Sequence, residues 1–286
     1  MIEKATPDGG RDTVYTSVSY TLPMGVEQLA ISGAGGVTGR GNDGDNTLDG
    51  STTSGADTLI GQSGDDVYRI RYGVDVVVEQ FSGGNDTVVL VSPAVGTYYV
   101  SEYAGVENLT VEFSQANLIG DANDNRLVGS GVYSLLDGGA GNDTLSDQAY
   151  VQGWPFVLLA DTLLGGAGDD VLSSRGGADV LDGGSGNDRL TVSGGIVRFG
   201  SGYGHDTVAL SLNVVVEVAP GLSAGDLTVV REARDLVLST GAGDSLRFED
   251  FYDESTSTTF RRRVSVRRTH LDEFSVAASS PRRLGR

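Results

Sequence analysis

Three stretches of the chain keep the same nine-residue metre: GGAGNDTLS at 138–146, GGAGDDVLS at 165–173 and GGSGNDRLT at 183–191. An earlier copy, GQSGDDVYR, lies at 61–69. A fixed short period constrains the fold more than any local propensity, because each unit is too small to bury itself and must stack on its neighbours. Extended without gaps, the register covers ten nonapeptides from Gly120 to Ala209. Position eight then reads Leu127, Leu136, Leu145, Trp154, Leu163, Leu172, Leu181, Leu190, Phe199 and Val208, apolar every time. Chance would produce this on the order of once in 10⁴ at the chain's apolar background.

Position six reads Asn125, Ser134, Asp143, Gln152, Asp161, Asp170, Asp179, Asp188, Val197 and Asp206. The first six residues of a unit supply a turn, since glycine tolerates the positive φ that tight turns need. The last three supply a short strand with one side chain pointing inward. The fold class predicted from this is all-β, a parallel β-solenoid.

The pattern G-G-x-G-x-D-x-(apolar)-x resembles the RTX (haemolysin-type) calcium-binding nonapeptide. The resemblance implies a right-handed parallel β-roll with two nonapeptides per turn, holding several calcium ions between loops of units n and n+2. The chemistry suits it, for calcium takes six to eight hard oxygens from carboxylates and backbone carbonyls. Glycine turns expose carbonyls, and Asp at position six adds charge. Rows of Asp without an ion repel each other, so calcium binding and folding are expected to be coupled.

Carried onto this chain, the resemblance makes the candidate metal ligands Asn125, Asp143, Asp161, Asp170, Asp179, Asp188 and Asp206, with the turn glycines Gly139, Gly141, Gly166, Gly168, Gly184 and Gly186. The n/n+2 rule pairs Asp143 with Asp161 and Asp161 with Asp179 on one side. On the other it pairs Asp170 with Asp188 and Asp188 with Asp206. Asn125 with Asp143 is a weaker pair, and the fullest site lies between 165–173 and 183–191. The unit FVLLADTLL at 156–164 keeps Asp161 but none of its turn glycines. Units 129–137, 147–155 and 192–200 lack the Asp and are expected to bind nothing by side chain. In a shorter block, GNDGDNTLD at 41–49, GSTTSGADTLI at 50–60 and 61–69, Asn46 and Asp66 form the same-side pair. Asp57 lies on the opposite loop without a partner.

Composition narrows the function. The 286 residues include 43 Gly, no Cys and two His, His205 and His270, with a net charge of −19. Disulfide scaffolds, thiolate sites and His-rich metal cages are excluded. No apolar run is long enough for a membrane-spanning helix, and the opening MIEKATPDGG has no signal-peptide core. So acidic a chain is a poor partner for nucleic acid. The charge is uneven: residues 1–260 carry a balance of −25, and 261–286, with eight Arg against Asp272 and Glu273, carry +6.

A longer repeat surrounds the nonapeptides. GGRDTV (9–14), VEQLAI (26–31) and DNTLDG (45–50) recur in order as GGNDTV (83–88), VENLTV (106–111) and DNRLVG (124–129). The expected organisation is a β-rich N-terminal segment at 1–40, a short RTX block at 41–70 and a β-rich interlude at 71–119. The main roll of ten nonapeptides follows at 120–209, then a β-rich cap at 210–260 and an Arg-rich, disordered tail at 261–286.

Catalytic readings find little footing. GLSAG at 221–225 matches the G-x-S-x-G elbow around Ser223, but a β-rich context and Pro220 argue for a loop. There is no HExxH, His205 falls on a loop position, and Glu107 with Glu112 reads as a solvated acidic face rather than a glycosidase pair. The function predicted is a non-enzymatic, secreted or cell-surface bacterial calcium-binding β-roll, exported through type I secretion machinery as the resemblance implies. The alternative is an adhesive or carbohydrate-binding repeat module engaging polysaccharide or a cell surface. A basic groove would favour it, and Arg175, Arg189 and Arg198 are its thin support. A β-helix lyase or epimerase would need an acid, base and Arg cluster that the sequence does not display.

Overall fold

The structure is a computed structural model that describes residues 10–79, 83–112, 114–129, 133–147, 160–175, 177–210, 213–222, 226–252, 263–268 and 273–277. Among these the only helical element is one 3-10 turn, Val100–Glu102; the rest is strand and loop. Strands alternate between two faces of a solenoid. One face is a single 14-stranded sheet; the other is split into a 4-stranded and a 9-stranded sheet. Every pairing along the body is parallel, as expected when each coil lays its strand directly on the one before.

The position-eight periodicity is the core. Leu127, Leu145, Leu172, Leu190 and Val208 stack in register along the large sheet, and Leu118, Leu136, Leu163 and Leu181 along the other. All are fully buried and belong to one apolar cluster that extends from Leu22 to Val266. The longer sequence repeat becomes three consecutive rungs of the large sheet: Val14, Leu29 and Leu48 in one copy, Val88, Leu109 and Leu127 in the other. The ladder thus passes through residues 41, 71 and 120, where the sequence suggests boundaries.

Three expectations are corrected. Between Leu145 and Leu172, and between Leu136 and Leu163, the ladder steps across 27 residues instead of 18. One nonapeptide therefore adds no rung, and the ten-unit register is broken there. The stretch 147–155, DQAYVQGWP, has a single glycine and a proline that cannot donate to a ladder. Gln152 and Trp154 lie outside the described residues. In the unit 192–200, Val197 rather than Phe199 stacks on Leu181, and Phe199 fills the next inward position against Val218. The glycine pair Gly194 and Gly195, both at positive φ, tightens the preceding turn and moves the register by two. Lastly, part of the Arg-rich stretch is strand: Arg263–Arg268 pairs in parallel with Val214–Val218 and antiparallel with Glu273–Ala277. Val264 and Val266 pair with the inward Val214 and Val216 and are buried, so VSV extends the inward pattern, while Arg267 pairs with Glu217.

The large sheet ends differently from how it runs. After the parallel strand Ser245–Phe248, the strands Asp235–Thr240 and Leu227–Glu232 add antiparallel, covering the last coil.

Candidate metal centre

The turns fall on two edges. Loops leading into the large sheet form one edge, and loops leading out of it form the other. On the first edge the residue just before each strand binds the turn before it. Asn46 N–H donates to Asp66 Oδ1 (2.7 Å), Asp66 N–H to Asp86 Oδ1 (2.8 Å) and Asp86 N–H to Glu107 Oε2 (2.8 Å). The row resumes as Asn125 to Asp143 (2.8 Å), Asp143 to Asp170 (2.7 Å), Asp170 to Asp188 (2.9 Å) and Asp188 to Asp206 (3.0 Å). The acceptor Asp carboxylates are almost completely buried, and Glu107 is half-buried.

Each Asp thus uses Oδ1 structurally, and the second oxygen is left over. Oδ2 of Asp66, Asp86, Asp143, Asp170 and Asp188 is buried with no hydrogen-bond partner among the described residues. Glycine makes the space in front of it. A methyl on Gly138 would overlap Asp143 Oδ2 and meet the Gly165 carbonyl at 2.6 Å; on Gly165 it would overlap both Asp170 Oδ2 and the Gly183 carbonyl. Carboxylate and carbonyl oxygens therefore converge on one small volume in each of these two turns. Gly139, Gly141, Gly166, Gly168, Gly184 and Gly186 all have positive φ, and a methyl on Gly166, Gly168, Gly184 or Gly186 would overlap a carbonyl of the preceding turn.

A second row, absent from the sequence reading, lies outside the first and runs the other way. Asn142 N–H donates to Asp124 Oδ1, Asp169 to Asn142, Asn187 to Asp169, and His205 to Asn187, at 2.7–3.1 Å. These exposed position-five residues explain the Asn-Asp and Asp-Asp pairs of the repeats. They also give His205 a structural backbone bond, and its Nδ1 lies 2.9 Å from Ser245 Oγ.

The opposite edge is built similarly, but hydroxyl groups satisfy two of its acids, while Oδ2 of Asp147 is buried with no hydrogen-bond partner among the described residues. Asp57 accepts from Val37 N–H (3.0 Å) and donates its own N–H to Asp75 (3.1 Å), the partner that the sequence did not supply. Thr53 Oγ1 donates to Asp57 Oδ2 at 2.5 Å, and Ser174 Oγ donates to Asp179 Oδ2. Asp161 receives Ser134 N–H and gives its own to Asp179. The pairing of Asp143 with Asp161 is thus overturned: the 27-residue step puts them on opposite edges, and Asp143 meets Asp170 instead. The unit 147–155 does contribute a side chain. Buried Asp147 stands with Asp161 and Asp179, their oxygens within 4.8 Å of one another.

Burial without counter-charge raises the acids' pKa values. Desolvation pushes Asp143, Asp161, Asp188 and Asp86 up to about 6, Asp66 and Asp147 to about 7, and Asp206 to about 8; neighbouring carboxylates add to the effect. A cation among them would reverse that shift. The residues present fit a hard divalent ion: every donor is oxygen, and the leftover atoms are buried carboxylate oxygens without a hydrogen-bond partner among the described residues.

The family model for RTX calcium-binding nonapeptide repeats matches in four copies, over residues 40–69, 119–146 and 159–190. The chain carries RTX repeats. The matched RTX segments are those whose turns hold the leftover Oδ2 atoms of Asp66, Asp143, Asp170 and Asp188. Asp86 lies outside them, as does Glu79, which joins Asp66 and Asp86 in a three-carboxylate cluster. A signal for Asp86 was present: GGNDTV places an Asp directly before a Thr-Val strand, as GGAGNDTL does. No curated protein matches the chain.

Other readings have their residues engaged elsewhere. Glu107 accepts from Asp86, and Glu112 makes a two-pronged bond with Arg69. Arg189 lies 3.6 Å from Glu249, and Arg198 lies 3.4 Å from Asp182 and Glu217, so neither offers an unopposed positive charge. Ser223 and His270 lie outside the described residues.

Proposed function

We propose that this chain is an extracellular, non-catalytic calcium-binding β-roll, exported by type I secretion, whose ions load chiefly along one edge. The reading rests on one observation. Along the edge of Asp66, Asp86, Asp143, Asp170 and Asp188, each Asp spends one oxygen on the preceding turn and keeps the other buried without a hydrogen-bond partner among the described residues, beside glycine carbonyls at Asp143 and Asp170. On the opposite edge Thr53 and Ser174 occupy the corresponding oxygens of Asp57 and Asp179. Asn46, Asn125 and Asp206 complete the loaded row, with carbonyls of Gly139, Gly141, Gly166, Gly168, Gly184 and Gly186 as further donors.

Calcium supplies the positive charge that lets these carboxylates stay ionised inside the stack. Extracellular modules of this kind bind at ~10⁻⁴–10⁻³ M, so the chain stays largely unfolded before export and folds outside. The test is a far-UV circular dichroism titration from chelator to millimolar calcium, with magnesium as control. A cooperative gain of β signal with calcium alone is expected. Full β signal in chelator, unmoved by calcium, overturns the reading.

A further inference from the structure

The slot two residues past the inward strand position of the smaller face is glycine in most of the repeat turns. Gly61 follows Ile60, Gly120 follows Ile119, Gly138 follows Asp137, and Gly165 and Gly183 continue the row. One turn beyond Gly61, where Val78 stacks on Ile60, the slot holds Glu79. Its carboxylate reaches back over Gly61: a methyl there would meet Glu79 Oε2 at 2.6 Å and would overlap Asp66 Oδ2 and the Tyr68 hydroxyl. Tyr68 is fully buried and donates its hydroxyl to Glu79 Oε2.

Two three-carboxylate clusters stand among the described residues: in Asp147, Asp161 and Asp179, on the opposite edge, Ser174 already donates to Asp179 Oδ2. Here Asp66 and Asp86 bring two buried oxygens without a hydrogen-bond partner among the described residues, and Glu79 brings a third carboxylate, with ligand atoms of the three residues within 4.8 Å of one another. Packed carboxylates with no cation nearby are strongly unfavourable, and affinity for hard cations rises with the number of charged ligands.

We propose that Asp66, Glu79 and Asp86, capped by Tyr68, form a distinct three-carboxylate cation site that fills before the repeat sites and also accepts trivalent lanthanides. This rests on the calcium reading above and assigns an order to the loading. The first ion stitches the turn at 61–66 to the turn ending at Asp86, outside the matched RTX segments, so the coils there consolidate before the main roll.

The test uses the full chain and Tb³⁺, whose emission is sensitised by a tyrosine beside the ion. Wild type should show an emission phase complete at the first equivalent, displaced by calcium, ahead of weaker phases. Glu79→Gln should weaken that phase about tenfold or more and leave the later phases in place. Tyr68→Phe should remove most of its emission while calorimetry still counts the ion. An unchanged first phase in Glu79→Gln, or undiminished emission in Tyr68→Phe, overturns the proposal. If Asp188→Asn alters a later phase while Glu79→Gln alters nothing, only the three-carboxylate site falls. If the wild type binds neither ion, the calcium reading falls with it. Should Glu79→Gln fail to fold in calcium, Tyr68→Phe decides alone.

Discussion

Replacing Asp188 by Asn should move stability in opposite directions with and without calcium. In the metal-free fold Asp188 is almost fully buried, and desolvation raises its pKa from 3.8 to about 6. At pH 7.5 the carboxylate is ionised folded and unfolded, so the shift measures what burying that charge costs. At roughly 1.4 kcal/mol per unit, that is about 3 kcal/mol. Asn keeps the Oδ1 that accepts the Asp170 N–H at 2.9 Å and carries no charge. The row already tolerates Asn at Asn125, which bonds differently: Nδ2 donates to the Glu107 carbonyl of the preceding turn (2.9 Å) and Oδ1 accepts from Asp121 N–H of its own turn (2.7 Å). In chelator at pH 7.5, Asp188→Asn should therefore be more stable than wild type by up to about 3 kcal/mol. In calcium the order should reverse, because the variant forfeits a charged ligand on both flanking sites. The assay is urea unfolding followed by circular dichroism in chelator and in 10 mM calcium, with fraction folded in chelator as a second readout. A variant less stable in both conditions, or one that keeps the full calcium increment, would refute the reasoning.

The metal-free chain should gain stability on acidification. Its buried acids have folded pKa values of about 6 to 8, above the unfolded value, so the folded state takes up protons as pH falls from about 8 towards 4. The folded fraction in chelator, read by circular dichroism, should rise from pH 8 to pH 5, and calcium binding at pH 6 should release protons, seen by potentiometric titration. Asp179→Asn, on the edge where Ser174 already satisfies the acid, should leave calcium stoichiometry by calorimetry unchanged. Gly165→Ala, whose methyl overlaps Asp170 Oδ2 and the Gly183 carbonyl, should weaken the calcium response in the same titration, whereas Gly241→Ala, in open space, should not. Leu172→Ala should cost about 2–5 kcal/mol with or without calcium in thermal or urea unfolding, since it empties a core rung rather than a ligand.

The inward row from Leu127 to Val208 was legible because burial repeats with the coil and glycine marks each turn. What periodicity could not reveal was where a coil fails to add a rung. A gapless metre carries Asp143 to Asp161, whereas the strands carry it to Asp170, since nothing in position eight distinguishes a stacked nonapeptide from one outside the ladder. Val197 took the rung assigned to Phe199 for a related reason: two apolar residues spaced by two both fit an inward strand face. Asp86 and Glu79 escaped notice because the early coils run at 20 residues per turn, outside the nine-residue metre. Glu79 stands where the pattern leads one to look for glycine. The Arg-rich stretch hid its strand because charge counts register Arg267 but not the alternation of Val264 and Val266.

The 27-residue step has a consequence for how such a chain can lengthen. One nonapeptide is half a coil, so inserting two returns every later residue to its own edge, and the ladder closes as before. Inserting one would transpose the edges, delivering Asp170 and Asp188 to the side where hydroxyls cap the acids and Asp179 to the side built for ions. In this chain the odd unit is left out of the ladder, and the Asp row continues from Asp143 to Asp170 unbroken. Growth by eighteens is silent, whereas growth by nines either forms an excursion or scrambles the ion row. Even and odd copy numbers of the same repeat are thus different mutations.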